Sequence, residues 1–388
     1  MSNCYFDGVN NMLEFKINKD CFNKAILDVS KGVSTKTLLP VLSGIKLVVN
    51  IDHLILSGSN SEIAIERVIP LTLNDNSVLE VIETGSVVLS AKHLSEIIKK
   101  LPSDIYIKMQ EKQLVTIQSE EIIIRLNGFS SEEYPTLPDI DLSKHISIPS
   151  NKLLEIMEQT MFAVSNNMSR PVLTGVNITL SENELSFVAT NSQRLALRKY
   201  SLVSDFEGSF IISETSLREL SKLIKNEVHM ITIYFSDKYI LFKSDNLTLY
   251  SSLIEGSYPN TSGLFPKEAK TIITLNTKQF LRGIDRACLF ASEWRNNNVH
   301  IEVESKNDLK ITSFFSEIGI IEETQPIKEI TGESDLKISL DASFLMDALK
   351  VIKEEEIRLS YSGSMGPILI EPINNPSYIQ LISQVRTY

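Results

Sequence analysis

Three stretches of the chain share one rhythm of apolar and polar positions. Phe15 opens FKINKDCFNKAILDVSKGVS, Ile146 opens ISIPSNKLLEIMEQTMFAVS and Ile273 opens ITLNTKQFLRGIDRACLFAS. Each starts with alternating residues, the period of a half-buried strand. It then passes through a polar stretch suited to a helix N-cap and continues with apolar residues three and four apart. A second strand-then-helix pattern recurs in SVVLSAKHLSEIIKKL, SFIISETSLRELSKLI and LKISLDASFLMDALKVI. The first two copies keep a constant offset of 131 residues. Pro40, Leu42 and Gly44 in TLLPVLSGIKLVV match Pro171, Leu173 and Gly175 in SRPVLTGVNITL, and Asn60 and Ser61 match Asn191 and Ser192. The third copy is looser, with FFSEIGI at 314–320.

This repeat predicts an α+β fold, with two helices grouped against antiparallel strands in each of three domains and six helices in all. YPTLP (134–138) and YPNTSGLFP (258–266) carry Pro or Gly that interrupt regular structure, and are expected to be linkers. The expected domains are 13–141, 142–266 and 267–388. Residues 1–12, ahead of the first periodic segment, are expected to be a disordered extension or the product of an upstream start codon. A length of 388 residues fits two to four domains at roughly 100–200 residues each.

The formal charge of −11 speaks against a surface that grips nucleic acid. The placement of the charges changes that picture. Lys92, Lys99 and Lys100 sit opposite Leu94, Ile97 and Ile98. Arg218, Lys222 and Lys225 lie off the stripe Leu217, Leu220, Leu223 and Ile224. Lys278, Arg282 and Arg286 are spaced by four beside Phe280, Leu281, Ile284 and Cys288, and Lys350 and Lys353 do likewise in the last helix. A solvated helix face accounts for any one of these. Their recurrence on equivalent helices, with the acids more in loops and strands, points to a basic face within an acidic protein. The helix from Ser150 is the exception, with Glu155 and Glu158 beside Lys152.

Candidate chemistry is sparse. Cys4, Cys21 and Cys288 are far apart, so neither a disulfide framework nor a zinc site is expected, and a reducing cytoplasm fits. His53, His93, His145, His229 and His300 have no ligand-like spacing. No GxSxG, GxGxxG or GxxxxGKS/T occurs. Asp139 and Asp141 form a DxD that could hold a metal beside a phosphate, as in a nuclease, although their place in a linker favours a solvated turn. Trp294 suits either partner contact or packing. MSNCYFDGVNN lacks the apolar core of a signal peptide, and no run approaches the roughly 18 apolar residues of a membrane span. A threefold repeat without a reactive constellation favours a scaffold over an enzyme, with no cofactor and no metal.

LLPVLSGI, SRPVLTGV, ATNSQRLALRK, EEYPTLP, EGSYPNTSGLFP and the terminal QVRTY, in that order, resemble the bacterial sliding clamp family, the beta subunit of DNA polymerase III. The resemblance runs from about Leu13 to Tyr388 and is to clamps of Gram-positive type. It implies a non-catalytic, cytoplasmic processivity factor for DNA replication. Two chains would join head to tail in a ring, with sheets outside and helices lining a central hole around double-stranded DNA, without sequence specificity. It further implies a clamp loader ATPase, the DNA polymerase III alpha subunit, and other polymerases and repair proteins as partners.

By the family pattern, partner peptides would enter a pocket of Leu173, Thr190, Arg194, Leu195, Pro259, Leu264, Val385 and Arg386. The contact between chains would use Ile124 and Leu126 on an edge strand with Leu289 and Phe290 at a helix end, for which plain core is the alternative role. DNA would meet Lys36, where the family carries Arg, together with Asn166 and Arg170 in the equivalent loop. The helix cations Lys92, Lys99, Arg218, Lys222, Lys278, Arg282 and Arg286 would join them. The chain departs from the pattern at Gln193, where the family has His, and at Ser383 and Gln384, where it has Pro before the hydrophobic–Arg pair. A divergent second copy with altered partners, or a monomeric DNA-binding regulator, are the alternatives these departures leave open.

Overall fold

Each apolar stripe seen in the sequence becomes the buried side of a helix. The structure, a computed structural model, describes residues 12–34, 37, 39–138, 140–225, 229–266, 268–291, 298–315, 319–364 and 366–385, apart from the side chains of Phe290, Ala291 and Phe315. Of the expected N-terminal extension, only Met12 falls within that description. Six α-helices occur among the described residues: α1 (Lys19–Ser30), α2 (Ala91–Lys100), α3 (Ser150–Met161), α4 (Glu214–Ile224), α5 (Thr277–Ala291) and α6 (Ala342–Lys350). Leu217, Leu220, Leu223 and Ile224 of α4 are all buried. So are Leu94 and Ile98 of α2 and Phe280 and Ile284 of α5, with Ile97, Leu281 and Cys288 half-buried. No helix among the described residues is long and apolar enough to cross a membrane.

The helix starts follow from local chemistry. Asn18 accepts a hydrogen bond from the Cys21 N–H (3.1 Å) at the head of α1. Asp341 accepts from the Ser343 and Phe344 N–H groups (2.8 and 3.2 Å) at the head of α6. These bonds satisfy donors that the first turn leaves without partners. Asp341→Ala is expected to lower stability by about 1 kcal/mol. The measurement is the urea denaturation midpoint, which should fall; an unmoved midpoint would show that this cap carries no stability.

The chain divides into two compact units, Met1–Ser150 with Lys222–Ser252, and Asn151–Ser221 with Leu253–Tyr388. In the first, a five-stranded sheet runs Ile122–Asn127, Leu114–Ser119, Ile105–Met109, Glu14–Ile17, Leu79–Glu83. An eight-stranded sheet in the same unit joins Leu247–Ser252 to Ile63–Pro70. In the second unit a nine-stranded sheet joins Arg194–Ser201 to Tyr378–Ile382. The strand pairings in these sheets are antiparallel. The two joins share one register: Ala64 faces Tyr250, and 131 residues further along both strands Leu195 faces Leu381. The strands between 142 and 266 therefore fall into both units, so sequence repeat and compact unit are different divisions of the chain.

The stretch YPTLP is irregular, and Tyr134 within it is buried against Val41 and Val88. Its hydroxyl donates to the Ser57 carbonyl at 3.4 Å.

Candidate functional site

The turn at 191–193 borders a cavity of the second unit. Asn191 Oδ1 accepts from the N–H groups of Gln193 and Arg194, both at 2.9 Å. Thr190 Oγ1 donates to the Arg194 carbonyl (2.6 Å) and accepts from the Ser192 N–H (3.1 Å). Ser192 takes φ of 78°, a left-handed value that these bonds hold in place. The first repeat folds the same way, with Asn60 Oδ1 accepting from Glu62 and Ile63 at 2.8 and 2.9 Å. Side chains that bond their own backbone two and three residues ahead explain why these positions match in sequence.

The turn delivers Arg194 into an aromatic sandwich. Its guanidinium lies 5.4 Å from the Phe162 ring centre and 4.6 Å from that of Phe344. It donates to Asp347 at 2.7 Å and to the Phe162 carbonyl. A planar cation between two rings, with a carboxylate partner, suits arginine and not lysine. Behind the turn, Tyr258 Oη accepts from the Thr190 N–H at 3.0 Å, and burial pushes that phenol far above its ordinary pKa.

In front of this framework is a cavity of about 620 Å³. Leu173, Thr190, Arg194, Leu195, Pro259 and Leu264 all line it, so six of the eight expected pocket residues come together. Val385 does not line it, and Arg386 lies outside the described residues. Val172, Pro367 and Leu381 complete the apolar wall without having been foreseen. Leu381 pairs across the sheet with Leu195, and no local pattern in its segment marked it in advance. Arg170, expected at DNA, stands on the margin of this cavity. The departures Gln193 and Ser383 are also lining residues, and the Ser383 N–H donates to the Gln193 carbonyl at 2.8 Å. Apolar walls with a few fixed polar groups are what a short peptide segment requires. The first unit has a counterpart of only about 160 Å³ beside Asn60, with Tyr250 in the place of Leu381.

The other expected contacts are spread over both units. Ile124 and Leu126 are half-buried on Ile122–Asn127, an edge strand of the five-stranded sheet. Their neighbours Ile122 and Ile123 are 42% and 52% exposed. Leu289 is 69% exposed near the end of α5, and the side chain of Phe290 lies outside the described residues.

Lys36 is likewise outside them. Asn166 and Arg170 are exposed on the loop after α3. Lys92 and Lys99 are exposed on α2, Lys222 on α4, and Lys278 and Arg282 on α5. Arg218 and Arg286 each hold a carboxylate. Arg218 pairs with Glu214 one turn away at 2.5 Å, and Arg286 grips Glu323 with two bonds of 2.5 and 2.7 Å. Arg286 holds the Glu323 carboxyl below its usual pKa.

Asp139, Cys4 and Trp294 lie outside the described residues. Asp141 accepts from the N–H and hydroxyl of Ser143 at 2.9 and 2.8 Å, a local turn. Among the described residues no group of three or more His, Cys, Asp or Glu side chains is placed to hold a metal.

Three family models match in succession: the N-terminal domain of the DNA polymerase III beta subunit over residues 13–138, its central domain over 147–260 and its C-terminal domain over 262–386. The beta sliding clamps of Bacillus subtilis and Halalkalibacterium halodurans are 41% and 38% identical to the chain, over 97% of it and 100% of each relative. The solved B. subtilis clamp superposes with a TM-score of 0.94 at 41% identity. The Streptococcus pneumoniae DNA polymerase III beta chain gives 0.92 at 32%, and both structures cover 97% of this chain and 100% of their own.

Proposed function

This chain belongs to the DNA polymerase III beta subunit family, the beta sliding clamps, which are non-catalytic processivity factors, and we propose that two copies close head to tail into a ring around duplex DNA. The ring holds the DNA polymerase III alpha subunit through the 620 Å³ cavity. The observation that carries this reading is the convergence of Leu173, Thr190, Arg194, Leu195, Pro259 and Leu264 on one apolar cavity in the second unit.

The mechanism is tethering. Holding the polymerase to an encircling ring raises its effective concentration at the primer end without any new bond to the template. A closed ring needs few phosphate contacts, and contacts to phosphate carry no sequence information. Lys92, Lys99, Lys222, Lys278 and Arg282 supply exposed cations. Arg218 and Arg286 would exchange a carboxylate for a phosphate, which keeps each contact weak and lets the ring slide. The three clamp domains are taken as 13–141, 142–266 and 267–388. With no nucleotide-binding motif in the chain, opening falls to a clamp loader ATPase. Other polymerases and repair proteins with clamp-binding peptides would use the same cavity, in the cytoplasm. Gln193 and Ser383, joined at the cavity's edge, favour a second reading in which this copy holds a different set of partners.

The test is loading onto nicked circular DNA with the cognate loader. The protein should stay on circles through a gel-filtration step and leave when the DNA is linearised. Release that ignores linearisation would rule out topological linkage.

A further inference from the structure

We propose that Gln384 is a positioning residue for partner binding, fastening the C-terminal tail to the turn closed by the bond between Gly366 and Gly363 and so holding one wall of the cavity in place. The proposal rests on the reading of that cavity as the partner site.

The ladder between Ile368–Pro372 and Tyr378–Ile382 ends at the pair Ile368 and Ile382. The next residue on one strand is Pro367, which has no N–H to continue the pairing. The tail is secured by other means. The Ser383 N–H donates to Gln193, and the Val385 N–H donates to the Ser339 carbonyl, both at 2.8 Å. Between them, the Gln384 side-chain amide donates to the carbonyls of Gly363 (2.8 Å) and Gly366 (2.6 Å). Two carbonyl acceptors admit only one orientation of that amide, with its NH₂ toward the turn.

The turn is shaped to receive it. Gly363 has φ of 115°, which favours glycine, and its carbonyl also accepts from the Gly366 N–H at 3.1 Å. The chain neighbours complete the case. Ser383, just before Gln384, and Pro367, just after Gly366, both line the cavity. One side chain thus ties together two segments that each contribute to the wall. A partner then meets a wall already ordered, and binding does not have to immobilise the tail.

The experiment uses the full-length protein and its Gln384→Ala and Gln384→Pro variants. Hydrogen exchange is measured at the Gly366, Ser383 and Val385 amides, and affinity by surface plasmon resonance on the immobilised cognate DNA polymerase III alpha subunit. In both variants, exchange at these three amides should speed up and the dissociation constant should rise roughly tenfold. The urea midpoint should stay where it is. Exchange unchanged from the parent would refute the fastening. Faster exchange with unchanged affinity would refute the positioning role. A parent protein that does not bind the subunit would remove the reading of the cavity on which the role depends, while faster exchange in the variants would still uphold the fastening.

Discussion

A chain carrying both Ile124→Lys and Leu126→Lys is expected to sediment as a single 43.6-kDa subunit where the parent sediments as two, and to be lost from circular DNA. Among the described residues the strand Ile122–Asn127 has a ladder partner on one side only, Leu114–Ser119. Its other side presents backbone groups beside Ile122 and Ile123, with Arg125 the single charged residue of the strand. Such an edge pairs with another chain unless something covers it, and lysine is the residue that most often prevents this. A head-to-tail ring of two chains contains the same interface twice, so each substitution acts twice. At about 2 kcal/mol per interface the loss is about 4 kcal/mol, roughly a thousandfold in the dissociation constant of the dimer. Ile124 and Leu126 are half-buried, so Ile123→Lys, at a more exposed position, separates a broken interface from a damaged fold. A parent chain that already sediments singly removes the ring. Variants that remain paired, with the parent paired, place the interface elsewhere.

How far the fold could be read in advance depended on the range of the interactions involved. The stripes on α2, α4 and α5 were legible because helical periodicity is a property of neighbouring residues. Asn60 and Asn191 showed in advance only as matching positions of the repeat, and the structure adds that each asparagine bonds its own next residues. Arg67 and Arg198 were not legible. Nothing local in IAIERVIP or RLALRKYS marks them as interior, yet both are buried. Arg67 donates to Asp28 on α1 at 3.0 Å, and Arg198 to Gln159 on α3 at 2.8 Å. Both arginines and both acceptors are 131 residues apart, so the repeat contained the clue. Burial of a cation is tolerable only with a partner, and that partner lies 39 residues earlier in each case. The joins Ala64–Tyr250 and Leu195–Leu381 were hidden for the same reason, since no local pattern marks which distant strand completes a sheet. At the cavity, family resemblance supplied six lining residues. It did not supply Phe162 and Phe344, which hold Arg194 from two other segments.

Leu195→Ala is expected to weaken binding of the DNA polymerase III alpha subunit roughly a hundredfold and leave the two-chain particle intact. Leu195 is 2% exposed and packs with Val188 and Leu381 beneath the cavity. Truncating it removes apolar contact from the wall and leaves a void that the strand Arg194–Ser201, paired on both sides, cannot close. The same void costs the fold about 2–5 kcal/mol, so a loss of binding from this variant alone could reflect a loosened sheet. Leu264→Asp distinguishes the two causes. Leu264 lines the same cavity but is 49% exposed on the single 3-10 turn Ser262–Leu264, outside the sheet. Its loss takes little from the core, while a carboxylate there would be stripped of water by any apolar side chain that docked beside it. The alpha subunit should bind both variants poorly on a plasmon-resonance surface. Only Leu195→Ala should lower the urea midpoint, and both should sediment as two chains. If Leu264→Asp binds as the parent does, the cavity is not where the polymerase is held. If either variant falls apart into single chains, binding and ring closure are not separate functions of this fold.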